Sequence, residues 1–258
     1  MSTSESDFVP YAVTTRLPPG PVLVMAPHPD DEVIGCGGAV LQHVRRGDDV
    51  TVVLATDGTA AQPHADDAHR ADYKALRLAE SRAAAEILGY SRLHCWEAPD
   101  RGLSAWAELD DRIRCVFDEV RPATVYAPSA YELHPDHHAL AEALCRLAAC
   151  LEDSVSFMFF EVGAPAPINL LLDITHDVER KRRALRCFGS QLALHDYVRH
   201  MEGLNVYRTY TLPQSVSAAE GYLSVTAAEL AADPLRRFGR SRLTDQLHLT
   251  GHREARSV

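Results

Sequence analysis

The stretch "PVLVMAPHPDDEVIGCGGAVLQHVRRGDDVTVVLAT", Pro21 to Thr56, decides the fold. Its apolar opening, Pro21–Ala26, is rich in β-formers and is entered through a Pro-Gly step, so it reads as a buried strand. "GGAVLQHVRRG" follows as a helix that Gly47 ends, because glycine readily takes the left-handed conformation that closes a helix. "DVTVVLAT", Asp49–Thr56, is the next strand. Between the first strand and the helix sits "PHPDDE", one histidine followed closely by Asp30, Asp31 and Glu32. Adjacent carboxylates repel, so such a cluster needs a reason to persist.

The alternation continues outward. "ADYKALRLAESRAAAEILG" is a long helix stopped by Gly89, "RLHCWE" a strand, "AELDDRIRCVFDEVRP" a helix ended at Pro122, "ATVYAP" a strand and "DHHALAEALCRLAACLE" a helix. "VSFMFFEV" and "INLLLDI" read as strands and "DVERKRRALRCFGSQLALHDYVRHM" as helical. Alternating strands and helices imply an α/β fold whose mostly parallel sheet is covered by helices on both faces. One catalytic domain over residues 1–258 is expected, with residues 1–18 a loose arm. The polar, basic tail 234–258 is expected to be mobile or to contact a neighbouring subunit of a homo-oligomer.

Bulk composition narrows the class. With 258 residues, 46% hydrophobic and 24% charged, the chain is ordinary for a soluble globular protein. No apolar run approaches the ~20 residues of a membrane span, and the acidic N-terminus does not read as a secretory signal. A net charge of −10 argues against nucleic acid as a partner. Six scattered cysteines without a C-x-x-C pair fit free thiols in a reducing cytoplasm.

In open α/β sheets, ligands bind at the carboxyl ends of the strands. "PHPDDE" follows the first strand, and "SAYELHPDHHAL", Ser129–Leu140, follows "ATVYAP". Two His/Asp clusters on one sheet edge can meet in space. His28 and Asp31 are three residues apart, as are His134 and His137, a spacing that points side chains the same way in a helical turn. Catalytic zinc takes three nitrogen or oxygen ligands and leaves a position for water. Two ligands from the first cluster and one from the second would give His-Asp-His and leave the other acids for proton transfer. The competing reading is helix capping by Asp30, Asp31 and Asp136; two clusters, each behind a strand, favour metal.

"HPDDE" with "GCGG" behind it, and then "HPDHHAL", resemble the PIG-L/LmbE family of zinc-dependent N-acetylglucosamine deacetylases. "VVLATDG", "RLAESRAAAEILG" and, more loosely, "APDRGL" and "KRRALRCFGSQL" match as well, so the resemblance covers about Pro21 to Leu192. It implies a Rossmann-like fold and one Zn²⁺ per chain, or another divalent metal, on His28, Asp31 and His137. It further implies Asp30 as general base, His134 as oxyanion stabiliser and donor to the leaving amine, and Asp136 holding the His134 ring. Arg77 and Asp100 match sugar-contacting positions. The expected substrate is a small glycan or glycoconjugate from whose amino sugar acetyl is removed. One departure concerns the second motif: some relatives carry tyrosine two residues before its first histidine, where this chain has Glu132.

Several features take plainer readings. Glu32 is expected at the helix start or behind His28 or His137, and Gly35, Gly37 and Gly38 let backbones approach closely, since the spacing of a dinucleotide loop is missing. Cys36 reads as a small buried hydrophobe, and His64 and His69 as solvated residues of a loop over 59–72 that could cover the pocket. A tryptophan near "APDRGL", Trp96 or Trp106, could stack on a sugar. The alternatives are the same zinc chemistry on a thiol conjugate or an N-acylated antibiotic sugar, a facial-triad iron enzyme, or a metal- or sugar-binding module without catalysis.

Overall fold

The computed structural model describes residues 12–61 and 66–232. Along strand β2 (Val22–Ala26), Val22, Val24 and Ala26 enter one apolar cluster and Leu23 and Met25 another, and all five are fully buried. Successive side chains of a strand point to opposite faces, so an unbroken apolar run marks a strand covered on both sides. β3 (Val50–Thr56), β5 (Thr124–Pro128) and β6 (Ser156–Phe160) follow the same rule. Together with β1 (Ala12–Thr14), β4 (Arg92–Ala98), β7 (Leu170–Asp173) and β8 (Ala219–Thr226) they form one sheet in the order β1-β7-β8-β6-β5-β2-β3-β4.

Helices α1 (Asp31–Arg46), α2 (Asp67–Leu88), α5 (Val178–Leu185) and α7 (Tyr197–Tyr207) contribute to the cluster around Val24. Helices α3 (Leu109–Val120), α4 (Pro135–Ala148) and α8 (Ala227–Ala232) contribute to the cluster around Met25. The expected α/β architecture is therefore present. Every strand pairing is parallel except those of β8, which lies antiparallel between β6 and β7. No helix among the described residues is long and apolar enough to cross a membrane.

Four local expectations need correction. The first helix begins at Asp31 rather than Gly37, and it continues past a break at Cys36 (φ −141°, ψ 20°). The glycines there serve packing: a Cβ on Gly35 would lie 2.1 Å from the Phe160 ring, and one on Gly38 would lie 2.4 Å from Ile174 Cγ2. The long helical stretch after Asp177 is broken into α5, the short α6 (Gly189–Leu192) and α7, whose start is capped when the Asp196 carboxylate accepts from Arg199 N–H. β8 has no counterpart in the sequence reading. Ala12–Thr14, placed in the loose arm, form an edge strand paired with β7. Residues 1–11, the loop segment 62–65 with His64, and the tail 234–258 lie outside the described residues.

Candidate active site

The chain runs outward from β2 through β3 to β4, then crosses to β5 on the other side of β2 and continues to β6. That reversal leaves a crevice beyond the carboxyl ends of β2 and β5, where open α/β sheets bind ligands. The two His/Asp clusters follow these two strands directly, and the structure brings them together there.

His28 Nδ1 lies 3.1 Å from Asp31 Oδ2, His137 Nε2 lies 3.2 Å from the same oxygen, and the two nitrogens are 3.3 Å apart. Tetrahedral zinc with bonds of about 2.0–2.1 Å separates its ligand atoms by about 3.3 Å. Three donors from two strand-to-helix junctions thus outline a near-equilateral face of a size that fits such an ion. Nitrogens of His28, His134 and His137 also fall within 4.8 Å of one another, as do donor atoms of His28, Asp100, His134 and Asp136. The tighter triangle includes the Asp31 carboxylate and suits a dication better.

The electrostatics match a buried cation. Burial by itself would push His28 down, yet Asp100, Asp136 and Asp31 around it hold its pKa well above the ordinary histidine range. Burial likewise pushes Asp31 up, but His137 and His28 outweigh it and keep the carboxylate ionised well below its usual range. At Asp31 the repulsion among the acids is thus offset by one histidine from each cluster.

Asp30 stands apart from the triangle. It occupies the N-cap position of α1 with φ 111°, a left-handed conformation that costs a non-glycine residue on the order of 1–3 kcal/mol. Its side chain makes no capping bond, so the capping reading fails for this residue. Burial raises its pKa to about 7, against the Arg77 guanidinium 3.5 Å away. Arg77 also donates to the Pro29 carbonyl. Glu32 accepts from Asp30 N–H at 3.0 Å; burial, with Asp30 next to it, pushes its carboxyl up to about 8. It therefore shapes the loop at the helix start and is not a partner of either histidine.

In the second cluster, His134 caps α4: its Nδ1 accepts from Asp136 N–H at 3.3 Å, which leaves Nε2 to carry the ring proton. Burial, reinforced by His28 and His137, lowers its pKa. The expected pairing of Asp136 with the His134 ring is not what the structure shows. That distance is 3.9 Å, too long for a hydrogen bond. Asp136 instead meets His28 Nε2 at 3.1 Å and accepts from Arg101 N–H at 2.7 Å and Leu103 N–H at 3.0 Å. Its carboxylate is turned toward the loop after β4, away from the turn it begins. Asp100, 3.4 Å from His28 Nε2, accepts from Ala60 N–H and so fixes the loop after β3.

A cavity of about 470 Å³ opens on this centre, lined by His28, Asp30, Asp31, His134 and His137 together with Arg77 and Asp100. Its outer wall comes from residues that the sequence reading did not assign, Gln191, Leu194 and Tyr197 around α6 and α7, with His195 among them. Trp96 and Trp106 lie outside the cavity lining and face each other with ring centroids 6.1 Å apart. His69 is exposed and bonded to Asp66. All six cysteines are free, and Cys36 is buried.

The sequence profile of the PIG-L family, GlcNAc-PI de-N-acetylase, matches residues 23–148. The chain is 36% identical to the diacetylchitobiose deacetylase of Thermococcus kodakarensis over 45% of its length and 44% of the relative's, so it spans less than half of that protein. It is 29% identical to a probable N-acetyl-alpha-D-glucosaminyl L-malate deacetylase 2 of Bacillus anthracis over 67% of this chain and 81% of the relative. Among solved structures, the N,N'-diacetylchitobiose deacetylase of Pyrococcus horikoshii superposes with a TM-score of 0.70 at 23% identity, covering 80% of this chain and 84% of the other, which establishes likeness of fold. The 4-carboxy-2-hydroxymuconate hydratase GalB of Pseudomonas putida superposes at 0.65 with 26% identity, covering 79% and 95%. Fold alone therefore does not select a chemistry. The span that carries both His/Asp clusters, residues 23–148, is a PIG-L family domain.

Proposed function

We propose that this protein is a zinc-dependent hydrolase that removes acetyl from an N-acetylated amino sugar in a small glycoconjugate. The observation that carries the reading is the donor triangle of His28, Asp31 and His137 beside a carboxylate, Asp30, that is not part of it. A zinc ion held there supplies a Lewis acid that polarises the acetyl carbonyl and lowers the pKa of water to about 7.

The chain's own groups do the rest. Asp30, with its pKa raised to about 7, can take the proton of the attacking water near neutral pH. The water oxygen bonds to the acetyl carbon, and the negative charge that gathers on the carbonyl oxygen is met by a hydrogen bond from His134 Nε2. The carbon–nitrogen bond then breaks and the amine leaves with the proton that Asp30 took up, giving acetate and a free amino sugar. Asp136 holds His28 through Nε2, and Asp100 stands at the cavity wall with oxygen to offer a sugar hydroxyl. Unpaired cysteines support a reducing compartment such as the cytoplasm.

The test is incubation of the metal-free protein with zinc or other divalent ions and a panel of substrates: N,N'-diacetylchitobiose, N-acetylglucosaminyl malate and N-acetylglucosaminyl inositol. Acetate and free amine are both scored. Equimolar release of the two, dependent on metal, is expected from at least one substrate class. A metal-loaded protein that binds these sugars but releases neither product would make the site a binding module.

A further inference from the structure

One ring nitrogen of the donor triangle lacks a partner. His28 and His137 each turn one nitrogen toward Asp31 and the other away from it. On the far side, His28 Nε2 reaches Asp136 at 3.1 Å. His137 Nδ1 is buried and makes no hydrogen bond, and the carboxylate facing it is Glu132, with Oε2 at 3.8 Å. An imidazole that gives its Nε2 lone pair to a metal must carry its proton on Nδ1. A buried N–H with no acceptor costs about 1–3 kcal/mol, and histidines that bind metals as a rule donate that proton to a carboxylate, carbonyl or water.

Glu132 is held for such a task. It is buried, and its Oε1 accepts from Val162 N–H at 2.6 Å while its Oε2 accepts from Gly163 N–H at 2.8 Å. The Ala164 N–H adds a longer contact to Oε1. The backbone donors prevent the carboxylate from turning, and Oε2 keeps a lone pair on the side of His137. A shift of about 1 Å brings the pair to hydrogen-bond distance.

We propose that Glu132 is the positioning residue of His137, accepting its Nδ1–H when Nε2 is engaged and so fixing the tautomer and plane of that ring. Asp136 plays the same part for His28, so each histidine of the triangle has a carboxylate behind it. Val162 and Gly163 line the cavity, which means that Glu132 also ties the cavity wall to the metal-binding ring. The position where some relatives carry tyrosine thus has a different use in this chain. The inference rests on the metal reading given above.

Zinc titration against a competing chelator tests it, with the full chain as wild type, Glu132→Gln and Glu132→Ala. A glutamine offers one oxygen and cannot accept on both the Val162 side and the Gly163–His137 side, so both variants should bind zinc about 10–100-fold more weakly. A role confined to the 162–164 loop would lower the melting temperature of the metal-free variants and leave zinc affinity within twofold, which would overturn the proposal. Should the variants not fold, histidine-labelled wild type answers by NMR. The zinc-loaded protein should show a protonated His137 Nδ1 that exchanges slowly, and a rapidly exchanging or deprotonated Nδ1 contradicts the assignment. Wild type that binds no zinc removes the metal reading and this inference with it, whereas wild type and Glu132→Gln binding equally removes only this one.

Discussion

Asp30 Oδ2 lies 3.5 Å from Arg77 Nη2, with both residues buried and the same guanidinium holding the Pro29 carbonyl. Burial raises the Asp30 carboxyl, and Arg77 is the strongest influence in the other direction. The pair therefore sets where on the pH scale the proposed base becomes active. A carboxylate works as a base only when deprotonated, so the rate should rise with pH through its pKa.

Replacing Arg77 by methionine removes the opposing charge and moves the Asp30 pKa upward. The acidic limb of the kcat/KM profile of the zinc-loaded enzyme should shift to higher pH by about 1 unit or more. Asp30→Asn should lower kcat about 10²–10⁴-fold, with zinc content unchanged. Stopped assays from pH 5 to 9 read both effects. An acidic limb that stays in place in Arg77→Met would remove Asp30 from the role of base.

Metal binding should also be visible as stability. Zinc at about 100 times its Kd adds about 2.7 kcal/mol, which for a chain of this size is a rise in Tm of about 5–10 °C. A chelator should reverse it. Asp31→Asn leaves the triangle with one weaker oxygen donor, and the zinc-induced rise should vanish or fall to a small fraction. An Asp31→Asn protein that gains as much Tm as wild type would show that the ion sits elsewhere, for example among His28, Asp100, His134 and Asp136.

Much of this was legible in the amino-acid sequence because it follows from period and spacing. The two-sided apolar runs of β2, β3 and β5 announce a covered parallel sheet, and the motifs behind β2 and β5 announce the site. The early start of α1 was obscured because glycines at 35, 37 and 38 disfavour a helix, and contacts with Phe160 at Gly35, Lys181 at Gly37 and Ile174 at Gly38 explain them. The partner of Asp136 was misread because spacing places it beside His134, whereas the side chain reaches across to the other cluster at His28. β8 hid behind Glu220, a charge that signals solvent until its buried partner is seen.

That partner is Lys181, whose Nζ lies 2.7 Å from Glu220 Oε1 with both side chains almost wholly buried. Glu220 also accepts from Gly38 N–H, Ala39 N–H and the Tyr222 hydroxyl, so it caps the part of α1 beyond the break at Cys36. Lys181→Met strands a charged carboxylate in the core and should cost about 3–5 kcal/mol in urea unfolding. The double change Lys181→Met with Glu220→Gln should recover part of that loss, because the stranded charge is gone. A single variant within 1 kcal/mol of wild type would mean that Gly38 N–H, Ala39 N–H and the Tyr222 hydroxyl satisfy Glu220 without its lysine.

His43 gives the fold a pH dependence of its own, away from the metal ligands. Its Nδ1 lies 2.7 Å from Asp48 Oδ2 and its Nε2 lies 2.9 Å from the Tyr126 hydroxyl, with the Arg46 guanidinium 3.1 Å from Nδ1. Burial lowers its pKa below the ordinary value of 6.5 despite Asp48. Between the lowered pKa and 6.5, the unfolded chain binds a proton that the folded protein refuses, so stability rises with pH across that window. The contribution is full above pH 6.5 and is lost as pH falls through the folded value. Asp48, also lowered on folding, acts in the same direction at more acid pH. His43→Gln can keep bonds to both neighbours without titrating, so its urea midpoints at pH 7.5, 6.5 and 5.5 should fall less steeply than those of wild type. Asp48, which His43 helps to lower, titrates below this pH range, so the difference in slope isolates His43. Parallel slopes would show that this ring binds protons alike in the folded and unfolded states, with Asp48 cancelling the effect of burial.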